Sequence, residues 1–337
     1  MKQITKNEIY KHYIAVDWSK VNFAISSMRD NGIAINTEEH PPNIKILKNC
    51  LKKFAGKKIL TIEETTSTHW LYVELKDTVD RILVCDPFRN RLLWDGPKND
   101  KIDSKNLCIL LRNGSVREVF HTMDKSYEIR KLFSCYEDFV KASVRFKNQR
   151  SSMFLSEGKD HKKEKVLTES QIKKFVTEKQ NLAIEHISQT RTEFETMFRK
   201  LAKENETIRL LTKISGIGEK TGVAIFATVI DPTRFKNKYK YYAYCGLVKH
   251  SKDSGRRNYG KREIRHNKIL KRSYKIAANA AIAGNNDIRE YYEYLLQKNM
   301  SFEDARNEIA RYIAKVSYAV MKYKTEYRPY QWRENKQ

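Results

Sequence analysis

Four carboxylates and one serine in this chain have the types and spacing for phosphodiester chemistry. Asp17 closes the apolar run HYIAVDW, and Glu63 closes KKILTIE. Asp100 and Asp103 stand at the start of a helical segment, 101–114. Their three-residue spacing puts both on one helical face, with Cβ atoms ~5–6 Å apart. Carboxylates gathered from strand ends and a helix start form a hard oxygen site suited to Mg²⁺ or Mn²⁺. Two such ions ~3.5–4 Å apart stabilise the attacking and leaving oxygens of an in-line displacement. Taken singly, each acid also reads as a cap: Asp100 as a helix N-cap, Asp103 as a first-turn residue favoured by the helix dipole. Glu64 competes with Glu63, and only one of the two can face the site because strand side chains alternate. The serine is Ser254, in KDSGRR at 252–257. A serine hydroxyl is a poor nucleophile unless activated. Lys252, Arg256 and Arg257 beside it can hold a phosphate and its transition-state charge. Ser251 is the alternative position.

The charge balance agrees with a polyanionic partner. Lys plus Arg number 66 against 41 for Asp plus Glu, a net charge of +25 over 337 residues. The cations cluster at 256–275 with Tyr and His among them. Binding to nucleic acid through six to ten phosphates would lose roughly 10³–10⁵ in affinity between ~50 and ~200 mM salt. The five cysteines (Cys50, Cys85, Cys108, Cys135, Cys245) are scattered, with no CxxC pair. That pattern predicts reduced thiols of a cytosolic protein rather than a disulfide framework or a zinc ribbon; the polyanionic partner makes a nucleoid-associated place in the cytoplasm the expectation. No apolar run approaches ~20 residues and the N-terminus lacks a signal-peptide core, so no membrane is expected.

The elements that must position these residues follow from hydrophobic periodicity. Strands are expected at 12–18, 22–28 and 33–36, the last two joined by an RDNG turn. Helices at 43–54 and 69–79 alternate with strands at 57–63 and 81–86. This predicts a mixed sheet flanked by helices in a first domain, 1–122. Residues 126–155 and 168–204 read as two long amphipathic helices, the second opened by a Thr168 cap, forming a coiled-coil arm over 123–206. Neither helix can bury its apolar stripe alone, which favours an oligomerisation arm. From 207 to 325 the chain is mostly helical, with a polar loop at 246–263, helices over 264–283, 286–298 and 301–323, and a loose tail from 326 to 337.

Ile214-Ser215-Gly216-Ile217-Gly218 resembles the hairpin of a helix-hairpin-helix, in which Gly216 and Gly218 let the backbone approach a phosphate. Glu219 stands where a P-loop needs glycine before Lys220-Thr221, so no ATPase is implied. Among Tyr239, Tyr241, Tyr242 and Tyr244, base stacking competes with a place in the core. His250 and His266 flank the basic loop without a metal-ligand partner at a convincing spacing.

In their order, these motifs resemble the insertion-sequence-one-ten family of transposases, the DEDD-type recombinases related to the pilin-gene invertase. Asp17-Trp18-Ser19-Lys20 matches the family's Asp-x-(Ser/Ala)-Lys strand end. Glu63-Glu64-Thr65 matches its Glu-x-Thr, which selects Glu63, although Thr66 replaces the usual Gly. Asp100-Lys101-Ile102-Asp103 matches its Asp-x-x-Asp-Ala, with Ser104 in place of Ala. Further along, Ser215-Gly216-Ile217-Gly218, Asp231-Pro232-Thr233-Arg234-Phe235, Gly246-Leu247, Ser254-Gly255 and Tyr259-Gly260-Lys261-Arg262 follow the family's C-terminal order.

The resemblance covers about 12–120 and 207–285. It implies an RNase H-like, RuvC-like nuclease domain, with Asp17, Glu63, Asp100 and Asp103 holding Mg²⁺ or Mn²⁺ and Ser254 as the covalent nucleophile. Lys20, Lys252, Arg256, Arg257, Lys261 and Arg262 are the expected phosphate contacts. The implied partners are donor and target DNA, a bridge (guide) RNA and further copies of the chain in a dimer or tetramer. Two arrangements then stay open for the two catalytic motifs, completion within one chain and completion between protomers. Two other readings use the same residues: a junction endonuclease that hydrolyses DNA with water and gives Ser254 no role, and a non-catalytic helix-hairpin-helix scaffold.

Overall fold

The computed structural model describes residues 10–32, 34–90, 99–122, 126–255, 257–263 and 265–329. They divide into two units, one within Met1–Asp124 and one within Lys125–Gln337.

In the first unit, β1 (His12–Trp18), β2 (Phe23–Arg29), β3 (Ile35–His40), β4 (Lys58–Glu63), β5 (Arg81–Cys85) and β6 (Glu118–Val119) form one sheet in the order β3-β2-β1-β4-β5-β6. β1 runs antiparallel to β2 and parallel to β4; β4 runs parallel to β5. The parallel joins need crossovers, and the helices α1 (Ile44–Lys52) and α2 (Thr68–Leu75) supply them. Alternation sorts the strand residues onto two faces. Ile14, Val16, Leu60 and Ile62 pack with Leu47 and Leu51 of α1 and with Leu71 and Leu75 of α2. The opposite face, with Ala15, Met28 and Cys85, receives Leu107 and Cys108 of α3 (Asp100–Arg112). Ile59 and Leu83 complete it against Leu111.

Two details differ from the sequence reading. β3 runs on through the polar residues Thr37–His40, because an edge strand needs no apolar face. The two-residue β6 is too short to leave a periodic signal. The mixed α/β sheet itself is as expected.

The second unit is mostly helical. α4 (Ser126–Ser156) and α5 (Gln171–Glu204) pack against each other. Phe133, Tyr136, Phe198 and Ala202 at one end of this pair join the core of the unit. At the other end Arg150 organises the connection. Its guanidinium donates to the carbonyls of His161, Glu164 and Lys165 and to Asn181 Oδ1, and lies 4.6 Å from the Phe154 ring centre. The cap of α5 is Ser170, whose hydroxyl accepts from Lys173 N, rather than Thr168. The core continues through α6 (Glu206–Thr212), α7 (Glu219–Val229), α8 (Lys238–Tyr244), α9 (Lys268–Ala283), α10 (Asp287–Gln297) and α11 (Phe302–Tyr323). Tyr241 and Tyr242 are buried in it, with Tyr241 stacked on Tyr318, so these two are core residues.

The expected loop at 246–263 is instead a two-stranded antiparallel ribbon, β7 (Lys249–Ser254) with β8 (Arg257–Glu263). Its strands are polar throughout, so no apolar alternation marks them. The ladder between the strands, with a bulge between Ser251 and Asp253, supplies the pairing instead. Residues 330–337 of the expected tail lie outside the described residues.

Candidate metal centre and serine ribbon

β1 and β4 are neighbours in parallel register, with Val16 opposite Ile62, so Asp17 and Glu63 leave the sheet at the same rim. Asp17 shares its face with Ala15, and Glu63 shares its face with Ile59 and Thr61. That is the face α3 covers, and α3 begins with Asp100 and Asp103. Three elements thus bring four carboxylates together.

The electrostatics record the meeting. The Asp17 carboxyl is raised from 3.8 to about 7, first by burial and then by the charges of Asp100, Glu63 and Asp103. Glu64 is not among the charges acting on Asp17, in keeping with alternation beyond Ile62. The Cys85 thiol, opposite Glu63 in register, is pushed up to about 12 by burial, then by Glu63 and Asp86. It is therefore a core thiol and not a nucleophile.

Local structure holds each acid in place. Asn99, not Asp100, caps α3: its side-chain oxygen accepts from Lys101 N at 2.9 Å. The competing role for Asp100 as a cap is therefore filled by its neighbour. Ser104 is fully buried and bonds Ser26 of β2 at 2.8 Å; Ser26 also bonds Thr37 of β3 at 2.8 Å. The hydroxyl that replaces the family's alanine thus pins the first turns of α3 to the sheet. On β4, Thr68 donates to the Glu63 carbonyl at 2.9 Å and accepts from Thr65 N at 2.6 Å, which fixes the backbone where the strand ends. Ser19 closes a turn onto Asn22 at 2.6 Å and leaves Lys20 exposed.

Can these residues hold metal? All donors are carboxylate oxygens, and after burial their mutual charge raises Asp17, so a divalent cation would relieve repulsion already present. Among the described residues, no three of the four bring oxygens within 4.8 Å of one another.

In the second unit, Ser254 ends β7 and pairs with Arg257 across the tip of the ribbon. Gly255 turns the tip at φ +56°, where glycine is favoured, and a Cβ there would meet nothing within 4 Å. Lys252, Lys261 and Arg262 lie on the same two strands, while Arg256 lies outside the described residues. At the foot of the ribbon, a cavity of about 520 Å³ is lined by Lys249, His266, Lys271, Lys275 and Arg311 together with Glu303 and Asp304. Adjoining grooves along α9 add Lys268, Arg272 and Arg306. His266 has a packing role here, since a Cβ on Gly246 would fall 2.5 Å from its ring.

The two hairpin glycines differ. Gly216, at φ +87°, lies against α9, and a Cβ would fall 2.2 Å from the Ala277 carbonyl oxygen. Its first task is close packing. Gly218 is exposed at the start of α7, with open space around it. It borders a cleft of about 400 Å³ flanked by Arg199, Lys203, Arg209 and Lys213. The sequence reading missed these four cations because they come from two helices and converge only in the fold.

Residues 14–156 match the IS110 model of DEDD transposases, described as Transposase, and residues 208–293 match the Transposase IS116/IS110/IS902 family. The chain is also similar to the insertion element IS110 uncharacterized 43.6 kDa protein of Streptomyces coelicolor. The two are 26% identical over 142 residues, 42% of this chain and 35% of that relative, so the match spans about a third of its length. With both halves matched in the order their motifs predict, the chain belongs to the IS110 family of transposases.

Proposed function

We propose that this protein cleaves and exchanges DNA strands, with an RNase H-like domain holding Mg²⁺ or Mn²⁺ through Asp17, Glu63, Asp100 and Asp103, and with Ser254 as the nucleophile. The observation that carries this reading is that Asp17, Glu63, Asp100 and Asp103 come close enough to act on one another, the Asp17 carboxyl being raised to about 7 first by burial and then by the other three, in a chain of net charge +25. A protein this basic has no evident structural use for such repulsion.

The cations, when bound, supply positive charge at the attacking and leaving oxygens. The chain's own residues do the rest. Asn99 and Ser104 orient the α3 acids, and Thr68 orients Glu63. In the attack, a bond forms between Ser254 Oγ and phosphorus as the bond to the departing deoxyribose oxygen breaks. The serine loses its proton to the medium and the departing oxygen gains one. One phosphodiester replaces another, so rejoining by the reverse reaction needs no ATP, which accords with the absent P-loop. The cations of the ribbon and of the α9 grooves hold the DNA backbone, with Lys20 a further contact beside the carboxylates.

A bridge RNA selects donor and target in this reading, with which the net charge of +25 is compatible. The exposed apolar residues Val144, Leu155, Phe175 and Leu182 of α4 and α5 support pairing of the arm with a second copy's arm. No helix among the described residues is long and apolar enough to cross a membrane. The test is DNA cleavage with and without Mg²⁺, guide RNA supplied, in wild type and Asp100→Asn. Metal-dependent cleavage lost in the variant supports the reading; cleavage unchanged by the substitution or by chelation sinks it.

A further inference from the structure

β3 shows alternate residues to its two sides. Thr37 and Glu39 turn towards α3: Thr37 joins the Ser26–Ser104 hydroxyls, and Glu39 pairs with Lys101 at 3.0 Å. Glu38 and His40 turn the other way, towards α1 and its buried Cys50. There His40 Nε2 lies 3.1 Å from Glu38 Oε2 and 3.7 Å from Cys50 Sγ, and all three atoms lie within 4.8 Å of one another.

Hydrogen bonding explains this cluster poorly. Nε2 carries either a proton or a lone pair, so it can donate to the carboxylate or accept from the thiol, but not do both. A metal ion uses all three atoms at once. Tetrahedral zinc, with Zn–S ~2.3 Å and Zn–N ~2.0 Å, has N···S edges of ~3.5 Å and N···O edges of ~3.3 Å. The 3.1 and 3.7 Å separations fall within about 0.2 Å of those edges. Beside Glu38 and Cys50, though not lined by His40, a cavity of about 30 Å³ has room for one water. The mixed S, N, O donor set suits Zn²⁺ and not the Mg²⁺ favoured by the carboxylates.

We propose that Glu38, His40 and Cys50 form a zinc site that ties the edge strand β3 to α1. Zinc binding would release the Cys50 proton to solvent and form a thiolate–metal bond. Burial pushes the Cys50 thiol above its usual range, with Lys53 opposing and Glu38 adding to the shift, so the metal itself would have to draw the proton off. The other side of β3 supports α3, so the same strand joins this site to the footing of Asp100 and Asp103. The site is separate from the carboxylate centre and does not depend on its reading.

Cobalt substitution in the purified full chain tests the proposal. One equivalent of Co²⁺ should give a thiolate-to-cobalt charge-transfer band that Zn²⁺ displaces. The band should be absent in Cys50→Ser and at least about tenfold weaker in apparent affinity in His40→Gln. It should persist in Asp17→Asn and in Cys135→Ser. No band in the wild type, or a band surviving Cys50→Ser, overturns the site. The wild-type spectrum decides the matter even if Cys50→Ser misfolds, and His40, on a partly exposed edge strand, provides a second variant.

Discussion

Replacing Asp17 by Asn should stabilise the protein at the expense of metal binding. In the folded state the Asp17 carboxyl titrates near 7 instead of 3.8, so the folded chain holds this proton more tightly than the unfolded one. The sign follows: the group favours folding in acid, and that contribution is lost as pH rises from about 4 to about 7. About three pKa units correspond to a ceiling of ~4 kcal/mol; screening at this partly exposed position brings the expectation to roughly 2 kcal/mol. Asp17→Asn removes the titrating charge and should therefore gain about 2 kcal/mol over wild type at pH 8 in chelator, with little gain at pH 4. Mg²⁺ at about a hundredfold over its Kd should restore ~2.7 kcal/mol to wild type and much less to the variant. Denaturant unfolding at pH 4, 6 and 8, with Mg²⁺ and with chelator, measures all of this. Equal stability of the two proteins at pH 8, or equal responses to Mg²⁺, would refute the idea that the four carboxylates meet in one site.

Three further outcomes follow from the second unit. Gly216→Ala should lose several kcal/mol in thermal or denaturant unfolding, since its Cβ would overlap the Ala277 carbonyl at positive φ, whereas Gly218→Ala should change stability by less than about 0.5 kcal/mol. The double variant Lys271→Gln, Lys275→Gln should weaken DNA binding and flatten the salt dependence by about two contacts' worth in a fluorescence titration; an unchanged slope would remove the α9 groove from the interface. Phe175→Asp with Leu182→Asp should reduce the molecular mass seen in light scattering without lowering Tm, because both side chains are exposed; an unaltered oligomer would exclude the arm as its contact.

The first unit was legible because its apolar strands carry their signal in every second residue. His12–Trp18 carries its acid one residue before its end and Lys58–Glu63 ends on its acid, and alternation alone indicated that one of Glu63 and Glu64 turns away. What the sequence withheld was the cap: Asn99 and Asp100 are both good N-caps, and only backbone geometry shows which one closes α3. The Ser26–Ser104 bond spans 78 residues and has no local signature. The ribbon at 249–263 escaped because neither face buries apolar side chains, so period-2 patterning had nothing to act on. Gly216 illustrates a different limit. A glycine packed against a helix and a glycine open to a ligand are the same letter, and the Ala277 carbonyl that distinguishes them lies far along the chain.

The central claim is that Ser254 forms a covalent bond to DNA under the control of the carboxylate centre. Wild type, Ser254→Ala and Asp17→Asn, each incubated with suicide DNA substrates, Mg²⁺ and the element's flanking RNA, can be compared on a denaturing gel. A protein–DNA adduct in the wild type that disappears in both variants is the predicted result. Cleavage without an adduct, undiminished in Ser254→Ala, would contradict the account and point to hydrolysis by water.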